Sequence, residues 1–280
     1  MRILLFGSRG MLGSDLQKEF EDSGHEVMGV DREEVDITHG PNIADVFHTI
    51  EPEVVINATG YTDVDGAETN REAAFVLNSE AVKYLAEAAA AVSAKFVHIS
   101  TEMVFDGDNK SGYNETTEPH AVNVYGESKA AGEKHVLVYE SGGYLVRTSW
   151  LYGKFSQRGK PRGLNFIETM IKLANEKPEV KVVNDQFGKL TSTKDLAQAI
   201  TQLISGGYVP GIYHLVNEGV ASWYDVAKEI WQRCGLKATL QPISSSEYPS
   251  IAKRPKYSVL VNTKFPPLRP WQQALADYLS

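Results

Sequence analysis

Tyr125 and Lys129 stand four residues apart in Tyr125-Gly-Glu-Ser-Lys129, the spacing that stacks two side chains on one face of a helix. An unperturbed phenol titrates near pH ~10. A fixed cation beside it favours the phenolate and brings the group toward proton exchange at neutral pH. Tyr-x-x-x-Lys alone is common and carries no function. Here Ser100-Thr101 closes an apolar run upstream, where a hydroxyl can hydrogen-bond a substrate carbonyl and Tyr125 together. Ser and Thr at such ends are otherwise caps or turns. With Tyr125 and Lys129 downstream, these hydroxyls form a set suited to general acid–base work.

A second set suits phosphate. Gly7-Ser-Arg-Gly10-Met-Leu-Gly13 follows the first apolar run and opens the first helical pattern. Glycines there allow a tight turn and close backbone approach to a pyrophosphate, which then sits on the helix amino terminus. The spacing is G-x-x-G-x-x-G; Arg9, Met11 and Leu12 lie within it. The strand–turn–helix context supports dinucleotide binding. Asp31, at the end of the second run, suits a ribose with free hydroxyls and hence NAD. Arg32 and Arg9 can instead neutralise the extra phosphate of NADP, so NADPH and NADH both stand. Asp36 and Ile37 are placed under the adenine, and Ala58, Gly60, Tyr61 and Thr62 on the nicotinamide side.

The elements that must hold these residues alternate. Buried strands are expected at Ile3–Phe6, Glu26–Val30, Val54–Ala58, Phe96–Ser100 and Tyr144–Thr148, and helices at Met11–Asp22, Ile43–Ile50, Ala73–Val92 and Ser128–Tyr139. Runs apolar on both faces point to a parallel sheet covered by helices. After Trp150 come a polar loop from Lys154 to Arg162 and a helix over Asn165–Asn175. A strand at Val180–Val183, a helix at Lys194–Ile204 and a strand at Ile212–Val216 follow, the strands placed to rejoin the sheet. The Pro-rich tail is expected to be irregular until a helix at Trp271–Tyr278. The fold class is therefore α/β, a Rossmann-like doubly wound parallel sheet with a smaller carboxy-terminal α/β substrate-binding domain. Residues 1–149 form the cofactor domain, with 180–217 partly returning to it; 150–179 and 218–280 form the substrate-binding cap.

Composition narrows the partners. The chain has 280 residues, 42% hydrophobic, and a net charge of −8. It offers no basic surface for nucleic acid or an anionic membrane, although a local basic loop can still bind an anionic substrate. A single cysteine, Cys234, excludes an intrachain disulfide and a cysteine-based zinc cluster; its helical setting reads as a partly buried, inert thiol. The seven histidines show no zinc-ligand spacing. The run Ile3–Phe6 is too short for an export segment and no stretch approaches a membrane span. The expectation is a cytoplasmic enzyme.

Taken together, the glycine loop, Ser100-Thr101 and Tyr125-x-x-x-Lys129 resemble the extended short-chain dehydrogenase/reductases. His98-Ile-Ser-Thr-Glu-Met-Val-Phe-Asp-Gly107, Asn123-Val-Tyr-Gly-Glu-Ser-Lys129 and Arg147-Thr-Ser-Trp-Leu-Tyr-Gly153 are similar to the dTDP-4-dehydrorhamnose reductase family. So are Gly163-Leu-Asn-Phe166, Asn184-Asp-Gln-Phe-Gly188, Gly211-Ile-Tyr-His214 and Lys253-Arg-Pro255. The resemblance implies reduction of the 4-keto group of dTDP-4-dehydro-L-rhamnose for cell-surface polysaccharide. Tyr125 would then be the proton donor, and Lys129 would hold the nicotinamide ribose and depress the tyrosine pKa. Thr101 and Glu102 would tune the transfer and orient the sugar, with Val64, Trp150 and Asn165 on the substrate side. It also implies a homodimer in some members and Mg2+ at a dimer contact, with no ligands assignable here.

The family pattern Ser-Thr-Asp-Tyr-Val-Phe is Ser-Thr-Glu-Met-Val-Phe in this chain, which touches sugar specificity rather than the hydride step. The Lys154–Arg162 loop is longer and more basic than the family's and could clamp a diphosphate. Two other functions compete. One is a nucleotide-sugar epimerase or dehydratase that returns its hydride. The other is a non-catalytic regulatory subunit resembling that of methionine adenosyltransferase. The intact Thr101, Tyr125 and Lys129 set favours catalysis.

Overall fold

The computed structural model describes residues 1–139, 142–157 and 163–280. The first half alternates as β1 (Arg2–Phe6), α1 (Met11–Asp22), β2 (Glu26–Val30), α2 (Gly40–Ile50) and β3 (Val54–Asn57). Short helices α3 (Val64–Thr69) and α4 (Arg71–Phe75) follow, then a π-helical turn (Val76–Glu80) that runs into α5 (Ala81–Ala91). β4 (Lys95–Thr101), a 3-10 turn (Glu102–Val104), α6 (Val124–Val138) and β5 (Gly143–Thr148) complete this part.

The second half contains β6 (Leu151–Tyr152), α7 (Phe166–Glu176), β7 (Glu179–Val183), β8 (Phe187–Gly188), β9 (Thr191–Ser192) and α8 (Thr193–Ser205). After these come β10 (Gly211–His214), β11 (Asn217–Glu218), β12 (Ala221–Ser222) and α9 (Trp223–Cys234). β13 (Thr239–Ile243), β14 (Leu268–Pro270) and α10 (Trp271–Leu279) end the chain.

Six strands form one parallel sheet in the order β10-β5-β4-β3-β1-β2. Alternate residues of each strand enter opposite cores. Ile3, Leu5, Val54, Ile56 and Val97 pack with Leu12, Leu16 and Phe20 of α1 and Leu196, Ile200 and Leu203 of α8. Leu4, Phe6, Val55, Phe96 and Leu145 pack with Ile43 and Phe47 of α2 and Val82, Leu85 and Ala89 of α5. Burial of both faces is why these strands read as continuous apolar runs. Each fully buried side chain contributes roughly 1.5–3 kcal/mol, and truncating one such as Leu16 to alanine costs about 2–5 kcal/mol.

The expected strand at Val180–Val183 exists but does not rejoin this sheet. β7 pairs in parallel with β13 in a separate two-stranded ribbon. Glu179 and Lys181 are exposed while Val180 and Val182 are buried, so one face alone is covered, by α7 and α9. Of the stretch expected to return, α8 packs on the large sheet and β10 pairs with β5. The tail is also less irregular than expected, because β13 carries Pro242 at a two-stranded edge that tolerates a missing N–H. The smaller core joins Tyr152, Ile167, Met170, Val180, Val226, Ile230 and Trp271. Cys234 is exposed rather than partly buried: α9 turns Val226, Ala227 and Ile230 inward and ends at the cysteine.

Candidate active site

β4 and α6 bring Thr101, Glu102 and Tyr125 together. Thr101 ends β4 and caps the 3-10 turn: its Oγ1 accepts the Met103 N–H at 3.2 Å and donates to Glu102 Oε2 at 2.8 Å. Asn123 caps α6, accepting the Gly126 N–H at 2.7 Å, which starts the helix four residues before the expected Ser128. Tyr125 therefore sits on the first turn, beside the Thr101 hydroxyl and the Glu102 carboxyl. Burial of the phenol hydroxyl, and then the Glu102 charge, raise the Tyr125 pKa, with the Thr101 hydrogen bond opposing them. Glu102 is 3% exposed, and burial pushes it up to about 7 against the pull of Thr101 and Arg254.

Lys129 departs from expectation. Its Nζ donates to Ile99 O at 2.7 Å and lies 3.5 Å from His98 Nε2, turned onto β4. Burial lowers its pKa to about 8, with Glu133 opposing. Burial and the Glu102 charge are the forces that raise Tyr125, while the Lys129 ammonium is held by Ile99 O. A cation must lie close to the hydroxyl to depress its pKa.

Several supporting residues escaped sequence reasoning. Asn78 lies in the π-helical turn, a distortion common at functional sites. Its Oδ1 accepts the Tyr61 N–H at 2.8 Å, and its Nδ2 donates to Tyr61 O at 3.1 Å and Ser128 Oγ at 2.9 Å. It thus ties the Tyr61 loop to α6. Under β4, Ser100 Oγ donates to Glu133 Oε1 at 2.5 Å, and Arg147 binds both Glu133 oxygens. Only the π-turn's break in a helical pattern and the i+4 step from Lys129 to Glu133 could have hinted at these.

The glycine loop has the form a pyrophosphate requires. Gly7 has φ +83°, and a Cβ there would meet Ala58 and Thr59 at 3.1 Å; a Cβ on Gly13 would lie 1.9 Å from Gly7 O. The turn and helix α1 therefore touch through bare backbone. Gly10 supplies no side-chain cap, so the first amides of α1, from Met11 and Leu12 on, are left for an anion. Asp31 accepts from Ser8 Oγ at 2.8 Å and Arg9 N at 3.0 Å. The Arg9 guanidinium pairs with Glu34 and Glu33, while Arg32 is exposed. Asp36 is occupied by Thr38, which lowers its pKa, and Ile37 is buried in the sheet core. Ala58, Gly60 and Tyr61 are half-buried and Thr62 is exposed along the loop after β3.

On the opposite side, Val64 opens α3 after the Asp63 cap. Asp65 accepts from Arg254 Nη2 at 3.0 Å, from Ala252 N at 2.9 Å and from Ser250 Oγ at 3.2 Å. Arg254 also acts on Glu102, and its Nη1 is buried without a partner. Trp150 has φ +44°, an uncommon conformation for a bulky residue. It stacks on Trp223 at 3.6 Å and 11°, where a Cβ on Gly188 would lie 2.6 Å from its ring. Asn165 is 1% exposed and spent on structure: it caps α7 through Glu168 N and donates to Gly153 O and Tyr278 Oη. These bonds anchor the start of α7 to Gly153 and α10. Of the basic loop, Arg158, Lys160 and Arg162 lie outside the described residues. Among those described, no group of three or more His, Cys, Asp or Glu could hold a metal. No helix there is long and apolar enough to cross a membrane.

A doubly wound parallel sheet with an open phosphate turn and a Thr, Tyr, Lys set beyond β4 defines an extended short-chain dehydrogenase/reductase. The chain belongs to the family described as RmlD substrate binding domain, whose model matches residues 1–280. It is 38% identical to a dTDP-4-dehydrorhamnose reductase of Aggregatibacter actinomycetemcomitans, over 99% of this chain and 97% of that one. It is 35% identical to the spore coat polysaccharide biosynthesis protein SpsK of Bacillus subtilis, over 99% and 96%. The crystal structure of a dTDP-4-dehydrorhamnose reductase from Bacillus anthracis in complex with NADP superposes with a TM-score of 0.93 at 37% identity, covering 99% of this chain and 98% of that one.

Proposed function

We propose that this chain is an NAD(P)H-dependent oxidoreductase that reduces the 4-keto group of dTDP-4-dehydro-L-rhamnose to give dTDP-L-rhamnose. The observation that carries the reading is the meeting of Thr101, Glu102 and Tyr125 at the carboxyl end of β4, in a chain similar along its length to reductases of that name. The nicotinamide, when bound, supplies the hydride that reaches C4 of the sugar. Tyr125 keeps its proton at neutral pH and donates it to the C4 oxygen as that oxygen gains charge. Thr101 orients the same oxygen. Lys129, while still held by Ile99 O, would bond the nicotinamide ribose and return a proton to the tyrosine.

The residues fit the cofactor: the bare turn at Gly7 and Gly13 and the uncapped amides of α1 hold the pyrophosphate. Asp31 meets the adenosine ribose, and Arg9, released from Glu33 and Glu34, meets a 2′-phosphate when the cofactor is NADPH. Residues 1–149 bear the cofactor, while Val64, Glu102 and the Trp150–Trp223 stack face the sugar. A homodimer accords with this reading and is checked by light scattering.

The deciding assay follows NADPH, then NADH, absorbance after adding dTDP-4-dehydro-L-rhamnose to the purified protein. Stoichiometric consumption is expected. Cofactor binding without consumption would sink the reading and favour an enzyme that returns its hydride, or a regulatory subunit.

A further inference from the structure

His98 lies on β4 with no exposed surface and is paired in register with Asn57 of β3. The orientation of the Asn57 amide is fixed, because its Oδ1 accepts from Thr59 N at 3.0 Å and Thr59 Oγ1 at 2.5 Å. Its Nδ2 is therefore the atom 3.1 Å from His98 Nδ1. An amide NH2 only donates, so His98 Nδ1 must accept. Burial, and then Lys129, hold this imidazole neutral by keeping its pKa well below the ordinary value. Its one proton thus resides on Nε2, which faces Lys129 Nζ at 3.5 Å. An ammonium there meets another donor, and Ile99 O at 2.7 Å is its acceptor.

We propose that His98 is a positioning residue for Lys129: its Asn57-fixed Nε2–H turns a donor toward the ammonium and makes that proton releasable to Tyr125 after each reduction. The proposal rests on the reductase reading for its purpose, though not for its geometry. Balance is simple: one N–H bond of the ammonium breaks, one O–H bond of Tyr125 forms, and the amine regains its proton from water.

The charged groups around Lys129 leave room for this effect. Glu133, one turn along α6, favours the ammonium, but its carboxylate is shared with Arg147 of β5 and Ser100 of β4. The β3 loop presents Asn57 and Gly60, and the π-helical turn presents Asn78; none is charged. Tyr125 lies on the same helix as a neutral phenol, and Glu102 acts on that phenol rather than on the amine.

The first test needs neither cofactor nor sugar. In histidine-labelled protein, the 15N shifts of His98, assigned by their loss in His98→Phe or their change in Asn57→Asp, should report an Nε2–H tautomer that persists from about pH 6 to about pH 8. An Nδ1–H tautomer overturns the proposal whatever the enzyme reduces. The second test is the pH profile of kcat. Asn57→Asp offers Nδ1 an acceptor, reverses the tautomer and turns a lone pair toward the ammonium. The alkaline limb should then move up by about one pH unit, and by less than about half of that in a His98→Phe background, where only the added charge acts. Equal shifts in both backgrounds overturn the proposal.

Discussion

The Glu133 carboxylate and the Arg147 guanidinium close a two-point ion pair, at 3.0 and 2.6 Å, with side chains only 2% and 1% exposed. Ser100 Oγ donates to the same carboxylate, and the Arg147 guanidinium lies 5.0 Å from the Phe105 ring centre. The pair joins α6, β4 and β5 directly beneath Thr101 and Lys129. Removing one partner strands a buried charge, which costs about 3–5 kcal/mol. Arg147→Met should lower the urea midpoint accordingly, and Arg147→Met with Glu133→Leu should recover most of the loss. A double variant no more stable than the single one would refute this account.

Tyr125→Phe removes the hydroxyl that the proposed function makes the proton donor and leaves the ring in place. Turnover should fall by at least about 10²-fold, while NADPH affinity measured by fluorescence stays within about twofold. Substantial remaining activity would take the tyrosine out of its role.

Glu102 gives a pH signature. Its folded pKa of about 7 lies above the ordinary 4.5, so the fold favours the protonated form. That stabilisation is fully present below pH 4.5 and is lost as the pH rises through about 7. From the shift, the loss is about 3 kcal/mol. Glu102→Gln carries no such term, so between pH 4.5 and pH ~8 its stability relative to the wild type should improve by that amount. Denaturant titrations at the two pH values make the comparison, and a constant difference would contradict it.

Gly188→Ala tests the aromatic wall. The new methyl would meet the Trp150 indole at 2.6 Å, displacing the ring from Trp223. Because Trp150 faces the sugar in the proposed complex, the KM for the sugar nucleotide should rise by about 5–10-fold with NADPH affinity unchanged. An unaltered KM would show that the stack only fills the smaller core.

Much of this was legible in the residues because the large sheet is buried on both faces. β2 and α1 begin and end where their periodicity changes, and the glycine loop and Tyr125-x-x-x-Lys129 announce themselves by local spacing. What was hidden depends on distant partners. β7 shows a strand's alternation, but its pairing with β13 is decided by an edge that accepts Pro242. Asn165 is an N-cap, which sequence alone does not separate from a ligand contact. Lys129 has the right helical face, yet its rotamer is chosen by a carbonyl and an imidazole on β4. The roles of Asn78, His98 and Arg254 arise from hydrogen bonds and charges between segments 17 to 189 residues apart.

The clasp between Asp65 and Arg254 has a bearing on biosynthesis. During translation, Tyr125 and Lys129 can settle against β4 as soon as the large sheet forms, but Ser250, Ala252 and Arg254 emerge far later. Until they do, Asp65 lacks its cation and Glu102 lacks the neighbour that draws its pKa down. The nascent chain thus holds Tyr125 and Lys129 in place before Asp65 gains its cation, and chain termination before residue 250 would leave the Glu102 side of the cleft without Arg254. Contacts of such long range form slowly, so refolding should regain nucleotide affinity before it regains turnover.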